Sequence, residues 1–235
     1  MPAPPVLLLT RPAEANLRFL GELRQAGVEM RAICSALLRI EPVVPEDAPD
    51  GDLVFTSQQA VAPFVAAFGA RGHAWCVGAR TAAVAQAAGF TVTCAEGTAR
   101  ALEARILAEG GQGPFTHICG DQLAYDLVAG LRARGRAAKA LQIYRQLEQA
   151  PTPEAMAVLS GEAPVLVPLF SPRSAAIFTK YLPKPHAPLY LGAISTTVSR
   201  QLTAVSGAYI GVSRETHAAA MVALVKALAS RSVAS

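Results

Sequence analysis

The sequence has 235 residues and a formal net charge of +4, with 52% hydrophobic and 16% charged residues. That balance excludes a disordered or low-complexity chain, and the length suits one large domain or two small ones. Lysine and arginine are scattered rather than clustered, which argues against nucleic acid as a partner and leaves a weak bias toward acidic ligands.

Val6 to Leu9 reads as a buried strand. Residues 13–25 read as an amphipathic helix with Leu17, Leu20 and Leu23 on its apolar side, stopped by Gly27. Val28 to Ile33 supplies a second strand and closes a β-α-β unit. Residues 37–44 alternate in part and read as an extended connector ahead of the turn-rich break from Pro45 to Gly51. Leu53 to Phe55 is an apolar strand. It turns at Thr56-Ser57 directly into a helix carrying Val61, Phe64, Val65 and Phe68. A strand from His73 passes through Gly78 and Thr81 into an Ala-rich helix ended by Gly89, and Phe90 to Cys94 is again a strand. A helix over 99–109 and a loop from Gly110 to Pro114 lead to a strand from Phe115 to Cys119. Gly120-Asp121 then feeds a helix predicted over 122–134.

Residues 140–147 are extended, with Leu141 and Ile143 facing away from Gln142 and Tyr144. Pro153 and Glu154 open a helix. Strands then lead to the corners Ser171-Pro172-Arg173-Ser174 and Ser195-Thr196-Thr197. A helix over 198–205, a strand from Ala208 to Ile210 and a helix over 216–229, capped by Ser213 or Thr216, complete the pattern. Strand and helix alternate throughout, so the fold class is α/β with parallel sheets, and two sheets of about five strands each is the simplest arrangement. A weak echo between Trp75–Thr81 and Leu191–Thr197 fits two related halves or merely the sameness of α/β units.

The four cysteines and four histidines show no metal or redox spacing, so reduced cysteines buried in strands and no metal site are expected. There is no phosphate loop, and the Gly110–Gly113 cluster leads into a strand rather than out of one. No G-x-S-x-G elbow occurs. The first apolar run is too short for a secretory signal and no stretch suits a membrane span, so the cytoplasm is the expected location. What remains is a row of hydroxyls at helix starts: Thr10, Thr56, Ser57, Thr81, Ser171, Ser174, Ser195, Thr196 and Thr197. Each alone is an ordinary N-cap. Their recurrence, beside helix-start amides that favour anions, reads as a carboxylate-binding cleft to which Arg11 and Arg173 can add charge. Asp121 is a helix cap or a cleft carboxylate. Tyr144 is a packing residue or a phenol able to donate a proton.

Taken in order, Leu7–Pro12, Phe55-Thr56-Ser57 with Ala60-Val61, Val77-Gly78 with Thr81-Ala82, Cys119-Gly120-Asp121, Ile143-Tyr144-Arg145, Phe170–Ala175 and Ala193-Ile194-Ser195 resemble the uroporphyrinogen-III synthase family over residues 6–225. The resemblance implies two flavodoxin-like domains: residues 1–36 with 149–235, and residues 45–138, joined by connectors 37–44 and 139–148. It implies cyclisation of hydroxymethylbilane, a linear tetrapyrrole with acetate and propionate arms, with loss of water and inversion of the last ring. It implies no metal and no organic cofactor. The protein would be a monomer that meets the preceding pathway enzyme only transiently, with no nucleic-acid or membrane partner. Tyr144 and Thr197 match catalytic positions. Thr81 and Ser171 match cleft positions of the family, and Thr10, Arg11, Thr56, Ser57, Gln58, Gly78, Gly120, Asp121, Pro172, Arg173, Ser174, Ser195 and Thr196 are the further residues expected to bind the substrate. Ser195 departs from the family's glycine after the isoleucine, and Val198 stands where many relatives carry a second threonine. The competing class is a non-catalytic, two-lobed binding protein for a polycarboxylate.

Overall fold

Apolar runs without a polar face, such as Val6–Leu9 and Val165–Leu169, belong in a sheet covered on both sides. Both are buried along their whole length in the computed structural model, which describes residues 3–70, 72–95, 97–110, 113–184 and 186–234. Gly111 and Gln112 of the predicted loop lie outside the described residues.

In chain order the strands are β1 (Val6–Leu9), β2 (Ala32–Cys34), β3 (Leu38–Pro42), β4 (Asp52–Phe55), β5 (His73–Cys76), β6 (Thr91–Cys94), β7 (Phe115–Gly120), β8 (Ala138–Glu148), β9 (Val165–Leu169), β10 (Leu189–Ala193) and β11 (Tyr209–Val212). The helices are α1 (Ala13–Gln25), α2 (Val61–Phe68), α3 (Ala79–Ala87), α4 (Ala99–Glu109), α5 (Leu127–Arg132), α6 (Pro153–Leu159), α7 (Pro172–Tyr181), α8 (Thr196–Arg200) and α9 (Ala218–Ala234).

The chain divides into two units, Met1–Arg39 with Glu148–Ser235, and Ile40–Leu147. The first holds a five-stranded sheet in the order β11-β10-β9-β1-β2, with parallel pairing throughout. The second holds a six-stranded sheet in the order β3-β8-β7-β4-β5-β6, in which β6 through β8 pair in parallel. The extra strand is β3. Its bonds to β8 join Val43 to Ile143 and Leu37 to Gln149, so the numbering falls on one strand as it rises on the other and this pair is antiparallel.

The two sheets are circular permutations of each other. In the second unit the chain visits β4, β5 and β6 outward to one side, then crosses to β7 and β8. In the first unit β9, β10 and β11 run outward in the same way, and β1 and β2 take the other side from the opposite end of the chain. Strand β5 therefore corresponds to β10, and the echo between Trp75–Thr81 and Leu191–Thr197 falls on equivalent strand–helix corners.

Several local expectations change. Leu17 is 67% exposed, whereas Ala15, Asn16, Phe19 and Leu23 form the buried stripe of α1. The phase of that stripe is set by Phe19 packing edge-on against Phe170. The second strand starts only at Ala32, because Val28 and the turn at Gly27 close the end of α1. A 3-10 turn over Gln58–Ala60 intervenes before α2. The helix after β7 starts at Leu127, capped by Asp126, not at 122. Helix α8 is a single short piece over Thr196–Arg200 followed by turns, rather than 198–205. Neither Ser213 nor Thr216 caps α9. Ser213 donates to the Glu215 carbonyl, and His217 accepts the Ala220 N–H at 3.2 Å. Cys76 and Cys119 are buried, but Cys34 is exposed at the end of an edge strand.

Gly51 ends the turn-rich break with φ +68 and lies against the Pro114 carbonyl that receives the Asp52 N–H at 3.0 Å. A Cβ there meets that carbonyl head-on and also needs a left-handed backbone, which alone costs about 1–2 kcal/mol. Gly51→Ala should lower the urea midpoint of unfolding by the equivalent of at least about 2 kcal/mol with an unchanged m value.

Candidate active site

An open parallel sheet offers a crevice beyond the carboxyl ends of its strands where the strand order reverses. In the second unit that reversal lies between β4 and β7. A cavity of about 310 Å³ opens there, lined by Thr56, Ser57, Val77, Ala99, Cys119, Gly120, Gln122, Leu123, Ala124, Tyr125, Tyr144 and Gln146.

Tyr144 reaches this cavity through an irregularity. On β7 and β8, Cys119 pairs with Gln142 but Gly120 pairs with Tyr144, so β8 carries one extra residue. The bulge breaks the alternation expected for 141–144, and Ile143 and Tyr144 are buried side by side. Gly120 makes the room. A Cβ on it would fall against the Tyr144 ring. Asp121 holds the bulged strand from the other side: its N–H donates to the Tyr144 carbonyl at 3.2 Å and its carboxylate accepts the Gln146 N–H at 3.0 Å. Asp121 is thus a clamp on β8 and not the helix cap.

Burial raises the phenol pKa of Tyr144, hydrogen bonds from Ser57 and Gln146 pull it down, and Cys119 and Asp121 push it up again. The net rise keeps the phenol protonated at neutral pH. Ser57 meanwhile accepts the Gln59 N–H at 3.3 Å as the cap of the 3-10 turn. Cys119, beside Tyr144, is pushed up to about 11 by burial, so it is no nucleophile.

Thr56 pairs with a histidine that belongs to no sequence motif. Its Oγ1 lies 2.9 Å from His117 Nε2, and the imidazole is only 2% exposed on β7. Burial depresses the His117 pKa to about 4, against a smaller upward pull from Asp126. The far wall is fixed by Glu103, buried on α4, which accepts from the Tyr125 hydroxyl and from Arg134. Four of the expected residues of this unit, Asp121 among them, stand back from the cavity. Thr81 is buried in the first turn of α3, Gly78 precedes that helix, and Gln58 sits in the 3-10 turn.

In the first unit the reversal lies between β9 and β1, and the corners Thr10-Arg11 and Phe170-Ser171 meet there. Asn16 of α1 clips the first corner, accepting the Arg11 N–H at 3.2 Å and donating to the Arg11 carbonyl at 2.7 Å. The Arg11 guanidinium lies 4.2 Å over the Phe170 ring. Ser171 caps α7 by accepting the Ser174 N–H at 3.1 Å and donates its own proton to Ser174 Oγ at 2.8 Å. Pro172 and Arg173 fill the first turn of α7. Ser195 caps α8, accepting the Val198 N–H at 3.4 Å, and Thr196 and Thr197 are exposed in its first turn. Asn16 and His117 were invisible to motif reading because each acts on a residue far along the chain or off its own corner. Gln146 was hidden by the bulge.

Among the described residues no cluster of three His, Cys, Asp or Glu side chains can hold a metal, and no helix is long and apolar enough to cross a membrane. The model of the uroporphyrinogen-III synthase HemD family matches residues 18–223. The chain belongs to the uroporphyrinogen-III synthase family. Its fold is similar to that of uroporphyrinogen-III synthetase from Helicobacter pylori, at a TM-score of 0.68 and 14% identity over 96% of this chain and 100% of that one. A mutant uroporphyrinogen III synthase from the extremely thermophilic bacterium Thermus thermophilus matches at a TM-score of 0.52 and 15% identity, over 97% and 100% of the two chains. At such identities the likeness is one of fold. No curated protein matches the sequence.

Two outcomes follow from this geometry. Gly120→Ala should displace the Tyr144 ring, seen as a changed near-UV tyrosine signal. His117 is neutral in the folded chain and titrates near the ordinary histidine value once unfolded, so the unfolded state takes up the proton first as pH falls. Its contribution is fully present above about pH 6.5 and is lost progressively toward about pH 4, by on the order of 3 kcal/mol. Urea unfolding across that window should show a shallower pH slope for His117→Gln than for the parent.

Proposed function

We propose that this protein converts hydroxymethylbilane into uroporphyrinogen III, closing the macrocycle with loss of water and inversion of the last ring. Family membership supports the reaction. The observation that carries the residue assignment is Tyr144: a protonated phenol, buried at the strand-order reversal, in contact with Ser57 and Gln146. On this reading the carbon–oxygen bond of the hydroxymethyl group breaks with its electron pair going to oxygen. That oxygen takes the phenol proton and departs as water. The cation left on the pyrrole is attacked by a ring carbon of the terminal pyrrole to give a spiro intermediate. Fragmentation and reclosure invert that ring, and the proton released on rearomatisation restores the phenol. The leaving group is reactive, so holding the two ends of the flexible chain together carries much of the acceleration.

Thr197 is proposed as the second catalytic position. The remaining corner residues, from Thr10 and Arg11 through Thr56, Ser57, Ser171 and Ser195, are proposed to hold the substrate's carboxylates with hydroxyls, amides and guanidinium charge. We further propose that residues 1–36 with 149–235 and residues 45–138 are the two functional domains, that 37–44 and 139–148 connect them, and that the enzyme is a cytoplasmic, monomeric hydro-lyase needing no metal or organic cofactor.

The test is to mix the protein with hydroxymethylbilane and separate the uroporphyrinogen isomers. Type III is expected. Type I alone, the spontaneous product, overturns the enzymatic reading in favour of a polycarboxylate binder. Tyr144→Phe should lower turnover at least about tenfold, a loss of about 1.4 kcal/mol of transition-state stabilisation, and unchanged kinetics would remove Tyr144 from the chemistry.

A further inference from the structure

A neutral imidazole has one N–H and one bare nitrogen, and which is which decides what its partner can do. His117 touches Thr56 through Nε2 at 2.9 Å, and its Nδ1 is buried with no hydrogen-bond partner. If the proton sat on Nδ1, the core would hold an orphaned N–H, a costly and rare arrangement. With the proton on Nε2, only a lone pair is left unused, and free histidine already prefers that tautomer. The Nε2–H then donates to Thr56 Oγ1. Thr56 lines the cavity beside Tyr144. With its oxygen already accepting from below, its own proton is free to point into that cavity.

We propose that His117 is a positioning residue that fixes the polarity of Thr56, making its hydroxyl a hydrogen-bond donor into the cavity and so selecting a carboxylate arm of the substrate there. The inference rests on the proposed reaction for the identity of the ligand, but not for the tautomer. A carboxylate accepts only, so a hydroxyl whose proton points into the cavity suits it, whereas a threonine that gave its proton to a bare Nε2 would present only lone pairs there and repel it. His117 itself stays behind Thr56 and touches no substrate.

Two measurements test this on the intact protein. Nitrogen-15 NMR of histidine-labelled protein near neutral pH, with His117→Gln used for assignment, should show a protonated Nε2 and a bare Nδ1. A protonated Nδ1 overturns the proposal. This readout needs no turnover, so it stands or falls separately from the isomer assay that tests the reaction. Kinetics with hydroxymethylbilane should then separate the variants. His117→Gln, whose side-chain amide can still donate to Thr56, should keep a KM within about twofold of the parent. His117→Phe, which keeps an aromatic ring but offers no donor, should raise KM about tenfold or more with kcat little changed, the size of one lost charge-assisted hydrogen bond. A parental KM in His117→Phe overturns the role. Should that variant not fold, Thr56→Val replaces it, removing the hydroxyl at constant volume and carrying the same expected rise in KM and the same refutation.

Discussion

Where a doubly wound sheet changes the direction of strand addition, right-handed crossovers send the neighbouring connections to opposite faces, and nothing fills the space between them. That constraint makes the cavity of the second unit. Thr56 leaves β4 toward one side, Gly120 leaves β7 toward the other, and Tyr144 fills the gap from the next strand over. The one-residue bulge in β8 and the missing side chain of Gly120 are both needed for the ring to lie there. A regular strand would point residue 144 to the opposite face. Asp121 then holds the irregular strand in register through its N–H and its carboxylate, an arrangement in which a residue at the rim serves the backbone beneath it.

The same constraint operates in the first unit, built from the two ends of the chain. Because the sheets are circular permutations, strand–helix corners that are distant in sequence hold equivalent places: Thr56-Ser57 with Ser171, Thr81 with Thr197, Cys119-Gly120 with Leu9-Thr10. An internal echo that no fixed repeat length could explain becomes intelligible once the break in chain order is known.

Much of the layout was legible because buried parallel strands write themselves as unbroken apolar runs, and because the strand–hydroxyl–helix grammar recurs. Strand β1 and helices α1 and α4 fall where periodicity puts them. What was illegible depends on partners that sequence spacing does not reveal. Leu17 carries the right period but the wrong phase, since the stripe of α1 is fixed by Phe170, just past the end of a strand far along the chain. Asp121 looks like a cap, but Asp126 is five residues on and takes that role once the chain has travelled along the cavity wall. His117 reads as an unremarkable strand residue until β4 brings Thr56 above it.

The hydroxyls at these corners share a polarity that follows from how they are held. A serine that caps a helix spends a lone pair on a backbone N–H and keeps its proton. Ser195 does this with Val198. Ser57 accepts from Gln59 and lies against the Tyr144 phenol, lowering its pKa as a donor to that oxygen does, so the phenol's own proton remains available. The local physics of helix starts therefore leaves each capping hydroxyl with a proton to donate, which Ser171 gives to Ser174 and Ser57 gives to the Tyr144 phenol. A hydroxyl that looks like an ordinary cap in the sequence can thus donate a hydrogen bond without giving up its capping role.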